Sequence, residues 1–384
     1  PLARLRGAVV LLFALALVPA VLHAQGVTTS AMAGIVSDQQ GAALVEAVIT
    51  AVHLPSGTSY RAVARVGGTW NILNMRVGGP YRVTVAAIGY QPNTKDDVQL
   101  ALGQTFRHDV ALERQVVQLE ELQVISDRDR LLSAGRTGAT TFVEPEQVTL
   151  MPSIKRSTRD LTRLDPRSDG NMAFAGRNWL FNSISLDGSY FSNSFGLDDP
   201  APGGQANAEP VPFEAVEQVQ VSVAPFDVRQ GGFTGASINT VTKSGTNTLK
   251  SSLYAYYRNQ SLEGNKVSGN PVVANPDLTF LQSGLSISGP IIKNKLFFFV
   301  NGEIERTDDP GTNFAACRSN CNNPGFGVSR AEATVLDAIS ARLKTYGYDT
   351  GPYEGYVNET NNNKLLLRLD WNISENHNLM FRYN

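Results

Sequence analysis

Cysteine and histidine are scarce in this sequence, and their scarcity excludes a good deal of chemistry. Two cysteines, Cys317 and Cys321, among 384 residues cannot staple a fold together. Four histidines occur, at His23, His53, His108 and His377, and none has a partner at helical i,i+4 or short-loop spacing. A zinc hydrolase needs about three His/Glu ligands and a general base around one metal, and this chain does not supply them. Lys and Arg number 33 against 35 Asp and Glu, a formal net charge of −2, with no basic stripe interleaved with aromatics. Nucleic acid is therefore not expected as a partner. A nucleophile elbow, a Walker A loop and a GxGxxG after a strand are also missing. No catalysis, metal or cofactor is expected.

Long apolar runs are missing too, apart from "GAVVLLFALALVPAVL" at Gly7–Leu22. That run follows Arg4 and Arg6, precedes "HAQG", and falls short of the roughly 20 residues a spanning helix needs. Residues 1–24 read as a secretory signal peptide cut after Ala24, with a membrane anchor as the weaker alternative. The rest of the chain, at 42% hydrophobic residues overall, can bury more than one core and should divide into two or three units.

From residue 26 to 114 the pattern is short alternating runs broken by glycine, as in "MAGIVSDQQGAAL", "SYRAVARVGGTWNI" and "GGPYRVTVAAIGYQP". These predict a small all-β sandwich. The segment resembles the carboxypeptidase regulatory-like domain, a prealbumin-type sandwich in a carbohydrate-binding-like superfamily, through "GIVSDQQGAAL", "GGTWNI" and "YRVTVAAIGYQ". Trp70, Tyr81 and Tyr90 are its only candidates for a sugar platform and are read as core residues. His53 and His108 are expected to be solvated or at strand edges.

Residues 115–129 form a linker containing "VVQLEELQVISDRD". A further strand is one reading of it. The sharper reading is a peptide captured by another protein's sheet edge, where main-chain hydrogen bonds supply affinity. The candidate residues are Leu122, Gln123, Val124, Ile125 and Ser126.

Residues 130–246 predict a short helix at 158–163 stopped before Pro166, a hairpin from Ser183 to Tyr190 turning at Asp187-Gly188, and strands at 216–223 and 236–242. Gly231, Gly232 and Gly235 are expected to allow positive φ and close chain approach. "TRDLTRLDP", "ISLDG" and "VEQVQVSVAPFDVRQGGFTGASINTVTKSGTN" resemble the plug domain of TonB-dependent outer-membrane receptors, most closely the Oar-like branch. A generic Gly-rich loop of a soluble sheet makes similar local predictions.

The segment 247–384 separates the two. In "KLLLRLDWNI", Leu365, Leu367, Leu369, Trp371 and Ile373 share one face, and Lys364, Leu366, Arg368, Asp370 and Asn372 the other. Such alternation suits a barrel wall with a greasy outside and a polar lumen. "LYAYYR", "FLQSGLSISG", "LFFFVNGEIER" and "LMFRY" complete five candidate strands, joined alternately by long and short connections. Short turns mark the periplasmic end of an outer-membrane barrel. Five strands cannot close one, since single-chain bacterial barrels use eight or more, so the chain reads as a fragment. On this register Leu369→Arg should be harmful and Leu366→Arg milder.

Cys317 and Cys321 fall in the second long connection, where a local disulfide is the plain reading. An amphipathic helix with Val335, Leu336, Ile339 and Leu343 on one side follows them; a lid or ligand surface is one reading of it, and packing on its own barrel is the expected one.

The expected fold is mainly β: an N-terminal sandwich, an α+β plug and the first strands of an antiparallel transmembrane barrel. The resemblance implies an outer membrane of Gram-negative type with the sandwich in the periplasm. It also implies TonB gripping Leu122–Ser126, surrounding lipid, and import of an external ligand that is oligosaccharide, peptide or siderophore-like. An adhesion or scaffold protein with a static plug is the alternative.

Overall fold

A computed structural model describes residues 27–114, 139–151, 153, 156–192, 208–224, 230–271, 277–312, 314–374 and 377–384. The signal segment and Leu122–Ser126 lie outside the described residues.

The N-terminal unit is a two-sheet sandwich. Its strands are β1 (Ser30–Asp38), β2 (Val48–His53), β3 (Thr58–Val63), β4 (Thr69–Met75), β5 (Gly78–Ala86), β6 (Asn93–Leu100), β7 (Thr105–Arg107) and β8 (Val110–Leu112). One sheet pairs β4, β1 and β7, with β8 also on β1; the other runs β3-β2-β5-β6. Alternation decides what is inside: Ile49 and Ala51 of β2, and Tyr81, Val83 and Val85 of β5, are completely buried. Trp70 and Tyr81 lie in this core and Tyr90 packs against it, so none of the three forms an exposed platform.

His53 departs from expectation. It is buried, with Nδ1 2.6 Å from Ser56 Oγ and its ring 4.9 Å from that of Tyr81. The Ser56 hydroxyl satisfies one ring nitrogen, so a neutral imidazole can sit among apolar neighbours. Burial, with Arg76 nearby, holds its pKa at about 3. His108, partly buried, is held at about 4 by burial and Lys95, against the opposing charge of Asp109.

The central unit is a five-stranded sheet, β11-β10-β13-β12-β9, with short helices beside it. Its strands are β9 (Ala139–Val143), β10 (Ser183–Leu186), β11 (Ser189–Tyr190), β12 (Val216–Val223) and β13 (Ala236–Thr242). The helix spans Thr158–Thr162, with the Ser157 hydroxyl capping Arg159 N. Between β10 and β11, Asp187 and Gly188 have φ of 44° and 79°, positive at both central positions as a tight hairpin turn requires. The three glycines divide their roles. Gly232 takes positive φ, and Gly235 permits close approach, since a Cβ there would lie 2.5 Å from Asn182 Oδ1; Gly231 needs neither.

In "VEQVQVSV" Val219 and Val221 enter the core of this unit, whereas Gln218 and Gln220 point the other way and are nonetheless buried. All seven residues of β13 are buried. Both faces of the sheet are therefore covered.

The C-terminal sheet pairs five antiparallel strands in chain order: β14 (Lys250–Asn259), β17 (Thr279–Ile292), β18 (Leu296–Pro310), β21 (Val357–Ser374) and β22 (His377–Tyr383). The hairpin β15 (Lys266–Val267) and β16 (Asn270–Pro271) lies in the first long connection, and β19 (Ala315–Cys317), β20 (Val328–Glu332) and the helix Ala333–Lys344 in the second. Residues facing the central unit are buried, including Gln282, Phe297, Asn301, Glu303, Lys364 and Arg368, while Leu285, Ile287, Leu365, Leu369 and Trp371 are exposed on the opposite side. The disulfide joins Cys317 and Cys321. The apolar side of the long helix is open: Val335 and Ile339 are about half exposed, at 51% and 49%.

Candidate functional site where the central unit meets the C-terminal sheet

Asp187 sits at the tip of the β10–β11 turn, which projects its carboxylate out of the central unit. One oxygen accepts Thr242 N at 2.8 Å and the other Thr242 Oγ1 at 2.6 Å, fixing the carboxylate against β13. The C-terminal sheet then brings two arginines to it. Arg382 of β22 lies 3.2 Å from Asp187 Oδ2 and donates to Leu186 O at 2.6 Å. Arg368 of β21 lies 3.5 Å from Oδ1 and donates to Thr242 O at 2.5 Å, while Asp370, 2.9 Å away, shares its charge. Each guanidinium thus grips backbone carbonyl and carboxylate together, a geometry suited to its planar fork.

A second polar cluster lies on the wall itself. Lys364 Nζ is 2.7 Å from Glu303 and 2.8 Å from Glu305, and Glu303 also accepts from Tyr254 OH at 2.7 Å and Gln282 Nε2 at 3.0 Å. Facing it, Glu209 of the central unit is bonded by Ser157 Oγ, and its backbone carbonyl accepts Asn362 Nδ2 at 2.9 Å. Burial raises the Glu209 pKa, against the pull of Ser157, Lys364 and Arg159. Arg156 completes the contact: paired with Glu214 at 2.5 Å, it stacks its guanidinium 3.9 Å from the Tyr256 ring centroid of the wall.

The interface is not wholly polar. Leu186, Val211 and Ala215 of the central unit form a buried cluster with Phe299 and Leu366 of the wall. Leu366 does point inward, as its register predicts, but toward apolar partners rather than water. The expectation that Leu366→Arg is the milder change is corrected on this ground.

Sequence reasoning found the Asp187 turn but none of its partners, because they come from strands far along the chain. No group of three or more His, Cys, Asp and Glu able to hold a metal occurs among the described residues. The arrangement offers binding and reversible polar locking.

Two family models match: the carboxypeptidase regulatory-like domain over residues 31–113 and the outer membrane beta barrel domain over residues 241–325. The TonB-dependent transporter Oar of Myxococcus xanthus is 25% identical over 319 residues, covering 80% of this chain and 28% of its own length. A probable TonB-dependent siderophore receptor PirA of Acinetobacter baumannii is 31% identical over 99 residues, covering 26% of this chain and 12% of its own. The chain thus spans less than a third of either relative. The solved siderophore receptor PirA from Acinetobacter baumannii superposes with a TM-score of 0.39 at 18% identity, over 63% of this chain and 30% of that one. By homology along most of its length and by both domain matches, the chain is related to the TonB-dependent transporters and is placed in the outer membrane of a Gram-negative bacterium, with a carboxypeptidase regulatory-like sandwich ahead of its outer-membrane barrel strands.

Proposed function

We propose that the protein binds an external ligand and imports it with energy delivered through TonB, and that it catalyses no reaction. In this reading residues 26–114 form a periplasmic sandwich, 115–129 a linker, 130–246 a plug and 247–384 the first strands of the barrel. Leu122, Gln123, Val124, Ile125 and Ser126 form the strand that TonB captures. Oligosaccharides, peptides and siderophore-like chelates are the ligand classes that suit such a receptor.

The polar character of the plug and wall contact is the observation that carries this reading. Asp187 is held by hydrogen bonds and charges from Arg368 and Arg382. Water can replace such contacts when the plug shifts, so separation exposes little apolar surface beyond the Leu366 cluster. Glu209 and Lys364 lie on the same boundary. A static scaffold would gain more from an apolar joint, because replacing buried ion pairs with well-packed hydrophobic residues is often stabilising.

The test is to purify the full-length receptor from its native outer membrane, identify the compound retained by mass spectrometry, and follow that compound into cells with and without TonB. Accumulation that requires TonB supports the proposal. Equal accumulation in both strains would reject energised import.

A further inference from the structure

The sandwich touches both the plug and the barrel wall, and the two joints differ in kind. On the barrel side, the loop between β2 and β3 meets asparagines at the short-turn end of the strands. Asn247 N donates to Pro55 O at 2.9 Å, and Asn372 Nδ2 donates to Thr58 Oγ1 at 2.9 Å. Asn372 also reaches Asn294 O at 3.2 Å, and Asn247 Nδ2 reaches Asn294 Oδ1 at 2.7 Å. A Cβ on Gly57 would collide with the Asn294 amide, so the loop is shaped to this rim. These asparagine bonds are neutral and mostly exposed; beside them Arg76 of the sandwich lies 5.9 Å from the Phe297 ring centroid of the wall and donates to Gly245 O at 3.0 Å.

On the plug side the joint is buried. Val77 and Leu102 of the sandwich pack with Val241 of β13, exposed by 8%, 0% and 6%. Leu102 N donates to Gln218 Oε1 at 2.9 Å, and Asn239 Nδ2 donates to Val27 O, both away from solvent. This explains why the amide face of β12 and β13 is buried: the sandwich covers it.

We propose that the sandwich is a periplasmic clasp that travels with the plug. It bridges plug and barrel at rest, and plug movement begins when the sandwich leaves the barrel turns while keeping its grip on β12 and β13. Water can take over the asparagine bonds at the rim, whereas undocking from the plug strips cover from Val77, Leu102 and Val241 and leaves buried amides without partners. The weaker joint opens first.

The inference rests on the plug-in-barrel reading and on neither ligand nor TonB. It is tested with the full-length receptor in planar bilayers, reading the urea concentration at which the lumen conducts, in a Cys317→Ser/Cys321→Ser background. Thr58→Cys/Asn372→Cys ties sandwich to barrel, and Val77→Cys/Val241→Cys ties sandwich to plug. Oxidising the first pair should raise the opening threshold and reduction should restore it; oxidising the second should leave it unchanged. Asn372→Ala, which only weakens the rim joint, should lower the threshold even if a cysteine pair does not assemble. Equal thresholds for the oxidised and reduced barrel pair, or a rise with the plug pair alone, would overturn the clasp. A receptor that conducts as freely without urea as with it would instead overturn the plug-in-barrel reading.

Discussion

The Asp187 carboxylate accepts two bonds from Thr242 and faces Arg368 and Arg382, so removing its charge leaves Arg382 short of a counter-charge and Arg368 with Asp370 alone. Losing one partner of a buried pair costs about 3–5 kcal/mol. Asp187→Asn should therefore loosen the plug in the barrel, seen as faster cleavage of plug segments by an added protease while the barrel stays folded. The turn itself is legible in "ISLDG". Its grip is not, because Arg368 and Arg382 lie 181 and 195 residues away and nothing local marks them as partners. Histidine behaves likewise: His53 looks like an edge residue, and only packing shows it buried against Ser56. Its pKa is lowered from 6.5 to about 3, so below pH 6.5 the unfolded chain binds a proton that the folded sandwich refuses. Stability is then full above the unfolded value and falls with pH, by at most about 1.4 kcal/mol per unit for one such group. The protection factors of sandwich amides, which remove the intrinsic slowing of exchange at lower pH, should fall from pH 6.5 to pH 4, and His53→Gln should flatten that slope. A slope unchanged in the variant would assign the effect elsewhere.

The five long strands were predictable because a two-residue period leaves a clear trace in strands such as β21, where Leu365, Leu369 and Trp371 are exposed and Lys364, Leu366 and Arg368 are buried. What lies opposite the inward face is invisible to periodicity. Leu369→Arg puts a charge toward lipid, costing roughly 2–4 kcal/mol near the midplane. Leu366→Arg puts one among Leu186, Val211, Ala215 and Phe299, where it lacks a partner and overfills the space. Both should lower the yield of folded full-length receptor in a membrane-assembly assay, by different routes. Leu186→Ala should partly rescue Leu366→Arg by making room, and should do nothing for Leu369→Arg. Rescue of both, or of neither, would contradict the assigned faces. The helix Ala333–Lys344 shows the complementary limit. Its apolar spacing is evident in sequence, yet Val335 and Ile339 remain half exposed, because amphipathicity specifies a face and not its partner.

At the scale of the molecule, the order of sandwich, plug and wall follows from composition shifts along the chain, but their assembly does not. The sandwich sits at the end where Asn247, Asn294 and Asn372 mark short turns, opposite the long connections that carry the Cys317–Cys321 disulfide. Short turns face the periplasm in such barrels, so this contact agrees with the outer-membrane placement of the family. The most direct test of the account is capture of TonB's periplasmic domain by purified full-length receptor, comparing wild type, Val124→Ala and Val124→Pro. Strand addition depends on backbone donors and on φ, which alanine preserves and proline does not. The account predicts that the alanine variant binds TonB nearly as well as wild type and that the proline variant binds roughly tenfold more weakly or worse, a tenfold loss being about 1.4 kcal/mol. Undiminished capture by the proline variant would contradict it and move the coupling strand away from Leu122–Ser126.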